Sequence, residues 1–97
     1  LDYEMAENAP AQLARMSMLP SEYFRRNLYA TFWFEKTNVP ALIAAVGEDN
    51  VLFETDFPHP TCLYPKPLET VAEKMSALAP EVQRKILGEN AATLYRL

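Results

Sequence analysis

The sequence predicts an α/β fold built on parallel strands that cannot complete a sheet by itself. Three observations carry this. Segments of helical periodicity alternate with short strand-like runs, in the order helix, strand, helix, strand, helix, helix, and such alternation favours parallel strands joined by helical crossovers. Both strand-like runs are apolar along most of their length, as expected of strands covered on both faces. Only two glycines stand against eight prolines in 97 residues, which leaves little room for the Asn-Gly or Gly-rich turns of tight hairpins. Two parallel strands do not make a stable sheet, so the missing neighbours must come from a longer parent chain or from other copies. Residues 1–97 therefore read as one part of a larger α/β sheet or barrel, incomplete on its own.

The elements follow from local pattern. The opening is polar and acidic, with Asp2, Glu4 and Glu7. Leu13, Met16 and Leu19 recur at helical spacing, which predicts a helix over Ala9–Met18. Pro20 ends it, and Ser21 with Glu22 opens a short turn. Asn27–Phe34 is rich in β-branched and aromatic residues and reads as a strand. Val39–Val46 reads as a helix with Pro40 near its first position and Gly47 as its C-terminal cap. Asp49 and Asn50 turn the chain into a second strand, Val51–Thr55, which ends at Asp56. A loop with Pro58, Pro60, Pro65 and Pro67 follows. Leu68, Val71, Ala72, Met75 and Leu78 form a helical stripe. Pro80 starts another helix with Val82, Ile86 and Leu87 on its apolar side. Gly88 is expected to break it, and Asn90 to cap a final turn carrying Leu94 and Tyr95.

Composition excludes several functions. A net charge of −4 argues against a nucleic-acid partner, which calls for a basic face. No run approaches the roughly 18 apolar residues of a membrane span, and no charged-then-apolar leader opens the chain. The single cysteine, Cys62, excludes an intramolecular disulfide and fits a reducing, cytoplasmic setting. The single histidine, His59, excludes a self-contained His-rich metal site. There is no internal repeat, no low-complexity stretch and no linker. The chain opens on Leu1 rather than a methionine, which leaves room for coding sequence before it.

Chemistry concentrates at Val51–Pro60, where an apolar strand ends in a carboxylate and a stiff proline loop begins. In parallel α/β folds ligands bind at the C-terminal ends of the strands. A carboxylate placed there needs a cationic partner, which a divalent metal, an arginine or a helix N-terminus can supply. Aspartate is short, so a strand-end position fixes its oxygens well for metal coordination or proton abstraction. Asp followed closely by Pro is also an ordinary way into a turn.

Glu54-Thr55-Asp56-Phe57-Pro58-His59 resembles the S/T-D-[YFW]-P-H signature of the amidohydrolase-related (amidohydrolase family 2) metal-dependent hydrolases, the relatives of aminocarboxymuconate-semialdehyde decarboxylase and of the aromatic-acid decarboxylases. Three further stretches agree. Pro20–Asn27, running into Thr31 and Phe32, resembles the segment entering the seventh barrel strand. Val46-Gly47-Glu48-Asp49-Asn50-Val51-Leu52-Phe53 is similar to the lead into the eighth. Lys85–Tyr95 is similar to the closing K-I-L-x-x-N-A-x-x-L-Y. The resemblance covers nearly the whole chain.

What the resemblance implies is the last two βα units of a TIM (β/α)₈ barrel, a fold of about 250 residues. It implies a hydrolase or non-oxidative decarboxylase of a small carboxylated or cyclic substrate, dependent on a divalent metal, with zinc the expected ion. Asp56 matches the family aspartate that ligates or faces the metal and acts as catalytic proton acceptor. The family's His-x-His pair and its other ligands lie on earlier strands. Asp56 alone cannot hold a catalytic metal, which normally takes three or more protein ligands. This chain by itself is therefore expected to be inactive. Its expected partners are the small-molecule substrate and either the remainder of the barrel or further copies in a homo-oligomer, with no nucleic acid and no membrane. The rival from another class is a non-catalytic helical module that self-associates through exposed strands.

The remaining candidates each carry two readings. His59 either lines the pocket mouth and contacts substrate, or bonds a backbone carbonyl and holds the Pro58–Pro60 turn; the resemblance places no metal ligand there. Glu54 shares the parity of Asp56 on an extended strand, which offers a second pocket carboxylate or the partner of a basic residue elsewhere; the family usually has a small residue at this position. Arg25 and Arg26 suit a substrate carboxylate or ordinary salt bridges. Trp33 and Phe34 read as core, and Tyr64 and Lys66 as shapers of the pocket entrance. Cys62 with His59 lacks an orienting third group for nucleophilic catalysis.

Overall fold

The computed structural model describes residues 1–32 and 38–97. Helices α1 (Asp2–Asn8), α2 (Pro10–Leu13) and α3 (Pro20–Asn27) lead into strand β1 (Ala30–Phe32); α4 (Val39–Val46) connects to strand β2 (Val51–Phe53). Then come α5 (Pro67–Lys74), α6 (Pro80–Arg84), a π-helical turn at Lys85–Glu89, and α7 (Asn90–Tyr95). The expected α/β architecture is present. The two strands pair in parallel with Ala30 opposite Val51, Thr31 opposite Leu52 and Phe32 opposite Phe53. The ladder continues at both ends, from Ala30 N–H to Asn50 O (2.9 Å) and from Glu54 N–H to Phe32 O (3.1 Å).

The core lies on one face of this ribbon. Phe32, Val39, Val51, Val71, Met75 and Ile86 form one buried cluster, with Leu42, Ile43, Val46, Phe53, Leu78 and Val82 packed against it. Phe32 and Phe53 meet as tilted rings 5.9 Å apart, in the range favoured for aromatic pairs. Side chains alternate along a strand, so Thr31, Leu52 and Glu54 occupy the opposite face, where Leu52 is also buried. The fold is not drawn in tightly around this core. Its radius of gyration is 15.5 Å, against about 12.5 Å for a self-sufficient domain of this length. No helix among the described residues is long and apolar enough to cross a membrane.

Several sequence expectations are corrected. The N-terminal helix does not run over Ala9–Met18; helix begins at Asp2, is interrupted at Ala9 and ends at Leu13. Pro20 does not end a helix with Ser21 and Glu22 in a turn, but opens the eight-residue α3. Proline suits the first helical turn, where its missing N–H has no intrahelical acceptor to lose. Glu22 reaches back to the Leu19 N–H (2.6 Å). The Asp2 carboxylate, 19 residues away, accepts from the Ser21 N–H and hydroxyl. These two bonds, side chain first, hold the Asp2 carboxyl below its ordinary value.

The first strand is shorter than Asn27–Phe34; Trp33 and Phe34, read as core, lie outside the described residues. Helix α4 has the expected bounds, with Asn38 Oδ1 accepting from the Ala41 N–H (3.1 Å) at its start. Gly47 ends it at φ +98°, where an added Cβ would sit 3.0 Å from Asn50 Oδ1. The second strand stops at Phe53 rather than Thr55. Helix α5 stops at Lys74, before Leu78. Gly88 does not break the last helix. The π-helical turn carries the backbone through it into α7.

Asn90 is not a cap. It is buried, and its amide donates to Glu48 O (2.7 Å) and Val51 O (2.8 Å). Asn50 and Ala30 bond to each other, as do Glu54 and Phe32, so the even-numbered residues of β2 face β1 and Val51 turns its carbonyl to the other edge. Asn90 therefore satisfies a polar group on the edge that β1 leaves open. Beside it, Lys85 Nζ bridges Glu48 Oε1 (2.7 Å) and Asp49 Oδ1 (2.8 Å). These carboxylates hold the ammonium well above its ordinary pKa, Asp49 contributing most.

Candidate functional site at the end of the second strand

The site is built by the loop that leaves β2. Thr55 O accepts from the Leu63 N–H (3.1 Å), which closes residues 56–62 into a compact loop. Inside it the Asp56 carbonyl accepts from the His59 N–H (2.8 Å), and the His59 carbonyl from the Cys62 N–H (3.0 Å). Asp56 takes a left-handed backbone at φ 57°, a conformation aspartate tolerates better than most residues. The rings of Phe57 and Tyr64 lie 5.8 Å apart across the loop, each followed by a cis-proline.

The structure brings Asp56 and His59 together. Nδ1 of His59 is 3.4 Å from Asp56 Oδ2, with side-chain exposures of 59% and 40%. The carboxylate therefore stands half open to solvent at the C-terminal end of the strand. Among the described residues the His59 ring bonds no backbone carbonyl. Its Nδ1 lies 2.7 Å from Thr61 Oγ1 and accepts from the Thr61 N–H at 3.3 Å. Thr61 was no part of the sequence reading, although a threonine two residues after a histidine in a proline turn is the signal that could have found it.

Other candidates are placed elsewhere. Glu54 belongs to the strand face opposite the helices, and its Oε1 accepts from the Thr31 hydroxyl (3.0 Å) on the neighbouring strand. Arg25 donates to Ala44 O and Ala45 O, both 3.2 Å, and so caps the C-terminal end of α4. It forms neither a carboxylate clamp nor a salt bridge there. Tyr64 is exposed on the loop. Lys66 pairs with Glu69 at 3.1 Å on the first turn of α5. Cys62 is a free, half-buried thiol, and the nitrogen His59 holds inward is taken up by Thr61.

As a metal centre the site is partial. Among the described residues no three His, Cys, Asp or Glu side chains come together around a common point. The donor chemistry at Asp56 suits a single ligand position, a half-exposed carboxylate just past a strand end with the His59 ring 3.4 Å away.

A parallel βα ribbon with a carboxylate past its C-terminal end is an arrangement found in (β/α)₈ barrels and in other parallel α/β folds. The amidohydrolase family model matches residues 4–97, and the chain belongs to that family. Among solved structures, an amidohydrolase from Mycobacterium avium subsp. paratuberculosis K-10 superposes with a TM-score of 0.77 at 24% identity over 95% of this chain. The match spans 23% of that protein's length. The fold is thus that of a TIM-barrel fragment. No curated protein matches.

Proposed function

We propose that this chain supplies the closing seventh and eighth βα units of a metal-dependent amidohydrolase of the aminocarboxymuconate-semialdehyde-decarboxylase-like kind. The complete enzyme hydrolyses, or decarboxylates without oxidation, a small carboxylated or cyclic substrate. The observation that carries this is the Asp56 carboxylate, half exposed at the C-terminal end of β2 and turned out of the strand by its left-handed backbone. A divalent ion, zinc by preference, supplies Lewis-acid activation when bound. From this chain Asp56 would offer it one ligand oxygen; in hydrolysis it would also accept a proton from the attacking water, and in decarboxylation it would assist proton movement at the substrate carbon. His59 borders the substrate at the pocket mouth.

The rest of the ligand set belongs to the remainder of the barrel. Two features support completion by further strands: among the described residues no third strand pairs with either outer edge of the ribbon, and the radius of gyration exceeds that of a self-sufficient domain. The 97-residue chain alone is accordingly inactive. The test is Asp56→Asn in the complete protein that carries this sequence, with bound metal measured by inductively coupled plasma mass spectrometry. The expected result is a metal content well below that of the parent and loss of turnover. Unchanged metal and turnover would overturn the role given to Asp56.

A further inference from the structure

We infer that Glu54 is a further binding residue, a carboxylate on the inner wall of the completed barrel that receives a cationic nitrogen of the ligand, such as an ammonium, amidinium or guanidinium group. That this ligand is the substrate rests on the function proposed above; the placing of Glu54 rests on the ribbon itself. The helical core packs on the face that carries Phe32, Val51 and Phe53. Glu54 alternates with Phe53 and stands on the other face, which in a (β/α)₈ barrel lines the interior. It is also the last residue of the ladder, its N–H donating to Phe32 O (3.1 Å). The side chain therefore enters the interior at the C-terminal rim of the strands, the end at which such barrels bind ligands.

One oxygen is held and the other is left over. The Thr31 hydroxyl, diagonally across the ladder, donates to Glu54 Oε1 (3.0 Å). Among the described residues Oε2 has no partner. Two residues earlier on the same face stands Leu52, a buried aliphatic side chain. When further strands close over this face, a half-buried carboxylate above an apolar layer calls for a cation. Arg25 is occupied by the carbonyls of α4, Lys66 by Glu69, Arg84 by Glu89, and Lys85 by Glu48 and Asp49. A ligand cation answers the need with a charge-assisted hydrogen bond, about twice as strong as a neutral one. A basic residue on another barrel strand is the competing partner, and the experiment separates the two.

The experiment is calorimetric titration of the complete protein that carries this sequence with benzamidine and with benzamide. The two probes have nearly the same shape, and only benzamidine is cationic at neutral pH. Wild type is expected to prefer benzamidine by at least roughly tenfold, the worth of a hydrogen bond to a charged group. Glu54→Gln, close in shape but uncharged, is expected to abolish that preference and to leave the affinity for benzamide and the bound metal unchanged. Thr31→Val keeps the carboxylate but loosens it, and is expected to lose part of the preference; it carries the test if Glu54→Gln does not fold. Equal binding of the two probes to wild type, or none, would overturn the proposal. So would a preference that Glu54→Gln, or in its absence Thr31→Val, leaves intact. A basic partner in the barrel would show as no preference in wild type with a lowered melting temperature in Glu54→Gln. Failure of the metal role of Asp56 would appear separately, as unchanged metal content in the Asp56→Asn protein with the benzamidine preference and its dependence on Glu54 intact.

Discussion

Replacing Asn90 by alanine tests how the last helix is fastened to the sheet. The Asn90 amide donates to Glu48 O at 2.7 Å and Val51 O at 2.8 Å; Asn90 is 6% exposed and Val51 fully buried. The two hydrogen bonds contribute about 1 kcal/mol net each, and the buried Val51 carbonyl left without its partner costs roughly a further 1–3 kcal/mol, so the loss is roughly 3–5 kcal/mol. With a urea dependence of about 1–3 kcal/mol per molar, the unfolding midpoint drops by roughly 1–5 M. Urea titration followed by far-ultraviolet circular dichroism reads this directly. Asn90→Asp sharpens the test. If Asn90 capped a helix, aspartate would serve as well. If it donates to two carbonyls, aspartate removes both donors and faces the oxygens with negative charge, so Asn90→Asp should be at least as damaging as Asn90→Ala. A loss below about 0.5 kcal/mol for alanine, the usual effect of a surface substitution, or a neutral aspartate, would refute the reasoning.

Other expectations follow from the same geometry. Gly47→Ala should destabilise by about 1–3 kcal/mol, the cost of a side chain in a glycine-only backbone region, because Gly47 sits at φ +98° with Asn50 Oδ1 3.0 Å from the new Cβ; the unfolding midpoint measures it. Ile86→Ala should cost roughly 2–5 kcal/mol in the same assay, as for other buried aliphatic truncations, since Ile86 is fully enclosed in the core cluster. The contact of α1 with α3 should loosen in acid. The Asp2 carboxyl is held below its unfolded value by Ser21, so its contribution is complete above the ordinary aspartate range and is lost as pH falls through the lowered folded value. Hydrogen exchange of the Ser21 amide should accelerate relative to its neighbours over that range, and Asp2→Asn should abolish this dependence.

The sequence was most legible where one local rule decided the structure. Val39–Val46 has an asparagine before it, a proline in its first turn and a glycine after it, and the helix has those bounds. The two strands and their parallel pairing followed from apolar runs separated by a helix of crossover length. Misreadings arose where the deciding partner lay far along the chain. Pro20 reads locally as a stop, but Glu22 and the distant Asp2 satisfy the first amides of α3, so it becomes a start. Asn90 reads as a cap, yet its partners are about forty residues earlier. Gly88 reads as a breaker, but a π-helical turn absorbs it, and nothing lies within 4 Å of the space a side chain would fill. At the site, Asp56 and His59 were legible as a strand-end pair. Thr61 was legible only through its local spacing, two residues after His59 in a proline turn. Glu54 read as a second pocket carboxylate or the partner of a basic residue, and the structure gives it a hydrogen bond from the Thr31 hydroxyl on the neighbouring strand.

The central claim, that Asp56 belongs to the metal centre of a barrel completed by other strands, is tested most directly by native mass spectrometry of the purified protein carrying this sequence. Chain mass, stoichiometry and bound metal are then read together. The account predicts either a longer chain or a complex that supplies the missing strands, carrying about one divalent metal per Asp56 as for a catalytic site with ligands drawn from several elements. A folded, metal-free assembly built only of 97-residue chains would contradict it, and would leave Asp56 as a turn residue in a self-associating module.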